Sequence, residues 1–302
     1  MWKRAQSKRL GYVLSTRLTE YAKSQIGTEA GSLEQSYRNT IYCAGVQVQA
    51  DGMIRSRYCS NRWCPVCNRI KMGKAINAYL PHVEHWDDLH FVTLTVQNCQ
   101  DFELEDLVSR MLDAFACVGR KMVRDLGSFR AIRKLECTYG KGYHPHFHVV
   151  VEGSEAAYAL RDAWMTYGPK YTRREVSEKG QDVRKADHDS LVELFKYATK
   201  LVAKGPDGGR RFISCKRLDV IFRALRNRRT YQTYGFKVAT DVEDVTDAEA
   251  KVEAFKEVHR RVLWLWDQDM ADWIDHETGE CLSGDYNEDD IGQPDPQVGS
   301  PS

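Results

Sequence analysis

Residues 143–151 read Tyr143-His144-Pro145-His146-Phe147-His148-Val149-Val150-Val151, and the reading of the whole chain turns on them. In a β-strand, alternate side chains leave the same face, about 7 Å apart. That spacing puts His144, His146 and His148 in one row and turns Phe147, Val149 and Val151 towards a core. The run of Val with Phe favours strand over helix. Pro145 falls near the strand start, where a missing N–H is tolerated best. Imidazoles in one row can converge on a single cation. The plain alternative is a histidine-rich edge strand with no ligand.

Just upstream, Ala131 to Tyr139 alternates as a second strand, with Ile132, Lys134, Glu136 and Thr138 on one face. Gly140-Lys141-Gly142 is a tight hairpin connection, so Glu136 falls across from the histidine row. A carboxylate beside two or three imidazoles is a mixed O/N set suited to Mn²⁺, Mg²⁺ or Zn²⁺. A buried ion pair would account for Glu136 equally well.

Outward from this hairpin, a strand is expected over His90–Val96. A helix follows over 102–126, with apolar residues at Leu104, Leu107, Val108, Met111, Leu112, Phe115 and Val118 and Gly127 as its cap. Other helices are expected over Ile70–Leu80, ended by Pro81, and over Ser154–Tyr167, with Ser154 as N-cap and a stop before Gly168-Pro169. A short strand at Gln181–Ala186 leads to a helix over Leu191–Ala203, capped by Asp189.

This last helix carries a second chemical pattern. Spacings of four and three put Glu193, Tyr197 and Lys200 on one face. A phenol, with a pKa of about 10, is a weak nucleophile until a cation assists it. Lys200 offers that cation and Glu193 a general base. An exposed, charge-paired helix face would show the same three residues.

Nine cysteines is an odd number, and Cys43, Cys59, Cys64 and Cys67 sit at metal-ligand spacing. Cys64-Pro65-Val66-Cys67 is a knuckle in which two thiolates can bind one tetrahedral ion, and Cys59 and Cys43 complete a four-sulfur set for structural Zn²⁺. Buried free thiols or a redox pair are the alternatives. Thiolate usage of this kind points to a reducing compartment, and no apolar run approaches the roughly 18 residues of a membrane span. A cytoplasmic protein with no membrane partner is expected.

The net charge of +1 hides an asymmetry. Residues 1–238 hold 40 basic and 25 acidic groups, whereas residues 239–302 hold 4 and 18. A basic body suggests a polyanion partner. Residues 1–40 read as a basic, loosely ordered arm with at most one short helix around Leu14–Lys23, and residues 41–80 as a Cys-rich zinc segment. Residues 206–238 interleave Arg and Lys with Phe and Tyr, which suits single-stranded nucleic acid and reads as a DNA-binding extension. Residues 239–302 read as an acidic region with one amphipathic helix over 247–274, containing Trp264, Trp266 and Trp273, and a disordered tail.

Together these motifs resemble the rolling-circle replication initiators of plasmids, within the His-hydrophobic-His endonuclease superfamily. Phe91-Val92-Thr93-Leu94-Thr95 resembles the first motif, His146-Phe147-His148 the metal-binding second, and Tyr197-Ala198-Thr199-Lys200 the third. The likeness covers roughly residues 43–238, with residues 85–205 as the endonuclease domain. It implies an α+β fold in which a central antiparallel β-sheet has helices on one side and the Tyr197 helix faces the histidine strand. It also implies a metal-dependent nickase. Tyr197 would attack single-stranded or hairpin origin DNA of a plasmid, forming a 5′-phosphotyrosine and freeing a 3′-OH primer. His146, His148 and Glu136 would hold Mn²⁺ or Mg²⁺, with His144 as a ligand or a partner of one. Glu193 would activate water to end the cycle, and a host helicase and replication machinery would act downstream. No particular oligomeric state is implied. Rival readings are a transposase or relaxase of the same superfamily, a histidine-triad nucleotide hydrolase, and a non-catalytic zinc protein that binds nucleic acid.

Overall fold

A computed structural model of the chain describes residues 2–25, 27–50, 53–195, 202–204, 210–238, 262–275 and 281–282. In chain order the first elements are α1 (Trp2–Ser24), α2 (Glu34–Ile41), β1 (Val46–Ala50), β2 (Met53–Ser56) and α3 (Pro65–Val83). Next come β3 (Leu89–Thr95), α4 (Leu104–Leu126), β4 (Ala131–Tyr139), β5 (Tyr143–Glu152), α5 (Ser154–Thr172), β6 (Asp182–Lys185) and α6 (His188–Phe195). The last are β7 (Val202–Lys204), β8 (Arg210–Phe212), α7 (Cys215–Leu225), β9 (Tyr231–Tyr234), β10 (Val262–Asp267) and β11 (Asp272–Asp275). The fold class is α+β, as expected. No helix among the described residues is long and apolar enough to cross a membrane.

Two units divide the chain, one drawn from residues 1–70 and 243–302, the other from residues 71–242. In the first, a four-stranded antiparallel sheet runs β11-β10-β1-β2. The expected helix over 247–274 is corrected where it is described: residues 262–275 form a β-hairpin. Trp264 and Trp266, two residues apart in β10, leave the same face of the strand. Trp266 then meets Trp273 edge-on at 4.9 Å, and the Asp267 carboxylate accepts the amides of Asp269 and Met270 in the turn. Trp273 is fully buried and donates its indole N–H to the Ala44 carbonyl at 2.7 Å.

The N-terminal arm needs a second correction. The short helix expected around Leu14–Lys23 is part of α1, a helix of 23 residues followed by α2, so the rest of the arm is not a loose segment. Leu14, Leu18 and Ala22 are buried, so tertiary packing outweighs a polar, Ser-punctuated composition. Gly11 lets α1 approach the ring of Pro65, which a Cβ there would meet at 3.3 Å.

The second unit is built on a five-stranded antiparallel sheet in the order β6-β3-β5-β4-β9. The hairpin expected around Gly140 and Gly142 joins β4 to β5, whose register pairs Tyr139 with Tyr143 and Ala131 with Val151. Helices cover both faces, not one. On the first face Phe147 meets Phe115 of α4 at 5.0 Å and Trp164 of α5 at 5.5 Å. On the second, Phe91, Ile132 and Val150 pack with Ala75, Tyr79 and Val83 of α3 and with Leu194 and Phe195 of α6. Residues 206–238, read as an extension, supply α7, which packs along α4, and β9, the fifth strand of this sheet.

Helix ends also differ in detail. α5 has Gly153 as its N-cap and runs through Pro169 to Thr172, with Gly168 packed closely against Trp164 and Val176. α3 includes Pro81 in its last turn. α6 is capped by Asp187, whose Oδ1 accepts the Ser190 amide at 2.8 Å, and not by Asp189. The helix expected to reach Ala203 does not do so, since residues 202–204 form β7, paired with β8.

Candidate metal centres and the strand that carries them

β5 is the middle strand of its sheet, so its side chains meet partners from both neighbours. Cross-strand register sets His146 opposite Glu136 and His148 opposite Lys134 on β4, and the same two histidines opposite Thr95 and Thr93 on β3. Glu136, His146 and His148 are all buried, and one ligand atom from each lies within 4.8 Å of the other two. The two Nε2 atoms face each other at 3.2 Å. Their Nδ1 atoms are engaged elsewhere: that of His146 with the His144 carbonyl at 3.0 Å, that of His148 with the Thr93 hydroxyl at 3.3 Å. Anchoring the outer ring nitrogen fixes the ring orientation that a ligating histidine needs.

Glu136 Oε2 lies 3.6 Å from His148 Nε2 and accepts the Lys134 ammonium at 3.1 Å. Burial pushes the Glu136 carboxyl up, but Lys134 and then the two histidines outweigh it, and the group stays ionised below its usual range. Its other oxygen, Oε1, is buried with no hydrogen-bond partner among the described residues. Two convergent imidazole nitrogens beside a carboxylate with an unsatisfied buried oxygen fit a divalent cation.

His144 stands apart from this set. Its ring stacks on His146 at 5.1 Å, and its Nδ1 meets Asn98 Oδ1 at 2.7 Å. Burial pulls its pKa down to about 4, with His146 adding to the effect. His144 thus buttresses the pair from the turn end of the strand.

The third predicted group is only partly described. α6 is seated on the face that carries the histidines: Phe195 stacks on Tyr79 at 5.6 Å, and Tyr231 donates its hydroxyl to the Leu194 carbonyl at 3.1 Å. Glu193 belongs to α6. Its side chain, Tyr197 and Lys200 lie outside the described residues.

In the first unit, Cys43, Cys59, Cys64 and Cys67 converge, with every Sγ within 4.8 Å of the others. Cys43 and Cys67 are 3.5 Å apart, Cys59 and Cys67 3.7 Å. Tetrahedral zinc with bonds of about 2.3 Å requires sulfur–sulfur edges of about 3.8 Å. The Cys59 amide points at Cys43 Sγ and the Cys67 amide at Cys64 Sγ, which favours thiolates. Hydrogen bonds from Cys43, Cys64 and Cys67 push the Cys59 thiol far down, while those of Cys43, Cys59 and Cys67, with burial, push Cys64 up. All nine cysteines are free thiols. The four-sulfur set fits a structural zinc ion.

Sequence reasoning placed Lys134 on the right face and gave it no role. The available signal was its position one alternate residue before Glu136.

A family model described as "Replication protein" matches residues 52–269, a span that takes in three of the four clustered cysteines, the β4–β5 hairpin and Tyr197. "Protein rep" of Staphylococcus aureus is 26% identical over 202 residues, covering 60% of this chain and 86% of that protein. "Protein rep" of Streptococcus pneumoniae serotype 2 is 26% identical over 181 residues, 50% of this chain and 54% of the relative. "Protein rep" of a Bacillus species is 26% identical over 179 residues, 49% and 58% respectively. The match thus spans little more than half of the latter two relatives. No solved structure matches the chain. With most of its length inside the matched span, and with the hairpin motifs in place, the chain belongs to the replication protein family, the plasmid replication initiators that its sequence resembles.

Proposed function

We propose that this initiator is a metal-dependent, sequence-specific nickase and strand-transferase that opens single-stranded or hairpin origin DNA of a plasmid through Tyr197. The observation that supports this best is the convergence of His146, His148 and Glu136 on the sheet face where α6 is seated. A divalent cation held by these three residues, Mn²⁺ or Mg²⁺, supplies polarisation of the scissile phosphate. The Tyr197 hydroxyl attacks phosphorus, a Tyr–O–P bond forms, and the P–O3′ bond breaks. The phenolic proton ends on the departing oxygen, which becomes the 3′-OH primer. Lys200 favours the phenolate through its charge. Glu193 takes a proton from water, which then attacks the phosphotyrosine, regenerating Tyr197 and leaving a 5′-phosphate.

The test incubates the chain with labelled origin single strands and Mn²⁺, with and without EDTA. An oligonucleotide joined to Tyr197 only when metal is present supports the reading. Tyr197→Phe should abolish the adduct and keep DNA binding, and Glu193→Ala should form the adduct but release it slowly. Cleavage that survives Tyr197→Phe would overturn it.

The Cys43, Cys59, Cys64, Cys67 cluster is assigned a structural zinc ion, because a closed four-sulfur site leaves no position for substrate. Elemental analysis should find about one zinc per chain, lost in Cys67→Ser. A metal-free, fully folded wild type would refute this. The protein acts in the cytoplasm, with the host helicase and polymerase as downstream partners; detection of the native initiator outside that compartment, or origin firing in extracts depleted of helicase, would count against this placement.

A further inference from the structure

Lys134 is fully buried, 0% exposed, on the central face of a sheet, and its ammonium bonds the carboxylate of the proposed metal site. Burying a lysine costs several kcal/mol unless a charge partner compensates, and an apolar side chain would fill that space more cheaply. Its place is fixed by register: opposite His148, one alternate residue before Glu136, on the same side as the histidine pair. Lys134 Nζ and His148 Nε2 both approach Glu136 Oε2, at 3.1 and 3.6 Å.

We propose that Lys134 is a charge-balancing residue of this centre, one whose ammonium weakens the hold of the site on its cation. The inference rests on the metal reading above. Two consequences follow from charge alone. Glu136 and Lys134 cancel, so with neutral histidines a divalent ion leaves the site at +2. A phosphodiester under attack by a tyrosinate carries −2, so the pairing neutralises the reacting group, where a lone carboxylate would leave the site one charge short. The ammonium also repels the incoming cation across a short, poorly screened distance. The site then exchanges its ion readily and does not trap it.

The sign of the effect distinguishes this role from a merely structural one. Loss of a scaffold residue weakens metal binding; loss of a repelling charge strengthens it. Mn²⁺ is titrated into the full chain, freed of other metals at the His–Glu centre, and free Mn²⁺ is followed by electron paramagnetic resonance. Lys134→Met and Lys134→Gln should each bind Mn²⁺ at least about tenfold more tightly than wild type. Lys134→Arg, which keeps the charge, should stay within about threefold. Equal or weaker binding in the two neutral variants, with circular dichroism unchanged, overturns the proposal; Lys134→Gln serves if Lys134→Met does not fold. Wild-type chain whose Mn²⁺ binding is absent, or is unaffected by Glu136→Gln and His146→Ala, instead overturns the metal reading itself.

Discussion

At the scale of single residues, the centre of the second unit is an ion pair that has almost no access to water. Lys134 and Glu136 are 0% and 1% exposed, so neither charge can be solvated if the other is removed. Removing one partner of a buried pair typically costs about 3–5 kcal/mol, whereas replacing both by apolar groups of similar size is often near neutral. In metal-free conditions, Glu136→Leu should therefore destabilise by about 3–5 kcal/mol, and Glu136→Leu with Lys134→Met should recover most of that loss. Urea unfolding of the two single variants and the double variant measures the coupling. Simple additivity would mean that other contacts of Lys134 carry its charge.

At the scale of elements, legibility followed the range of the contacts. β4 and β5 were readable because they pair with each other through a short turn: alternation, β-branched residues and a Gly-Lys-Gly connection lie within one short stretch. The whole His–Glu constellation came with them, since register places side chains once the turn is known. α1 was readable only over its second half, around Leu14–Lys23, as the helical state of the rest depends on packing within its unit. β10 was misread because Trp266 and Trp273, seven apart, share a helical face as readily as they pair across a hairpin, and the strand that decides between them, β1, lies far away in sequence. Side-chain pairing within the sheet, such as Lys134 with Glu136, needed three dimensions. Glycines give a test at this scale. Gly235, just after β9, has φ +76°, and a Cβ there would collide with the Phe129 carbonyl oxygen. Gly235→Ala should cost about 2 kcal/mol or more. Gly73 lies inside α3 with nothing within 4 Å of an added Cβ, so Gly73→Ala should gain about 0.5–1 kcal/mol. Opposite shifts in thermal midpoint are expected, and shifts of the same sign would contradict the account.

At the scale of the whole molecule, charge is divided along the chain, and the basic residues are distributed through the fold and not confined to a tail. Arg217 lies over the Tyr139 ring at 4.2 Å, at the turn end of the β4–β5 hairpin, and Arg229 lies in the segment leading into β9. If these cations meet phosphates of the origin strand, each contact releases about one counterion. Arg217→Gln and Arg229→Gln should each reduce the salt slope of single-strand binding by about one, with Mn²⁺ affinity unchanged. Fluorescence anisotropy across a salt series reads this, and an unaltered slope removes the residue from the DNA path.

The pairing of β1 with β10 joins Val46 to Leu265, so one sheet is assembled from strands far apart in the sequence. During synthesis, β1 emerges early with β2 on one edge and nothing on the other. Translation at about 5–20 residues per second keeps that edge waiting for on the order of ten seconds or more. Everything needed for the five-stranded sheet leaves the ribosome in the meantime. A ribosome that stops between β9 and β10 therefore releases a chain with the histidine strand complete and an unpaired strand exposed, which is a substrate for proteases and an invitation to aggregate. Closing the first sheet last ties the order of the first unit to synthesis through β11, which ends at Asp275.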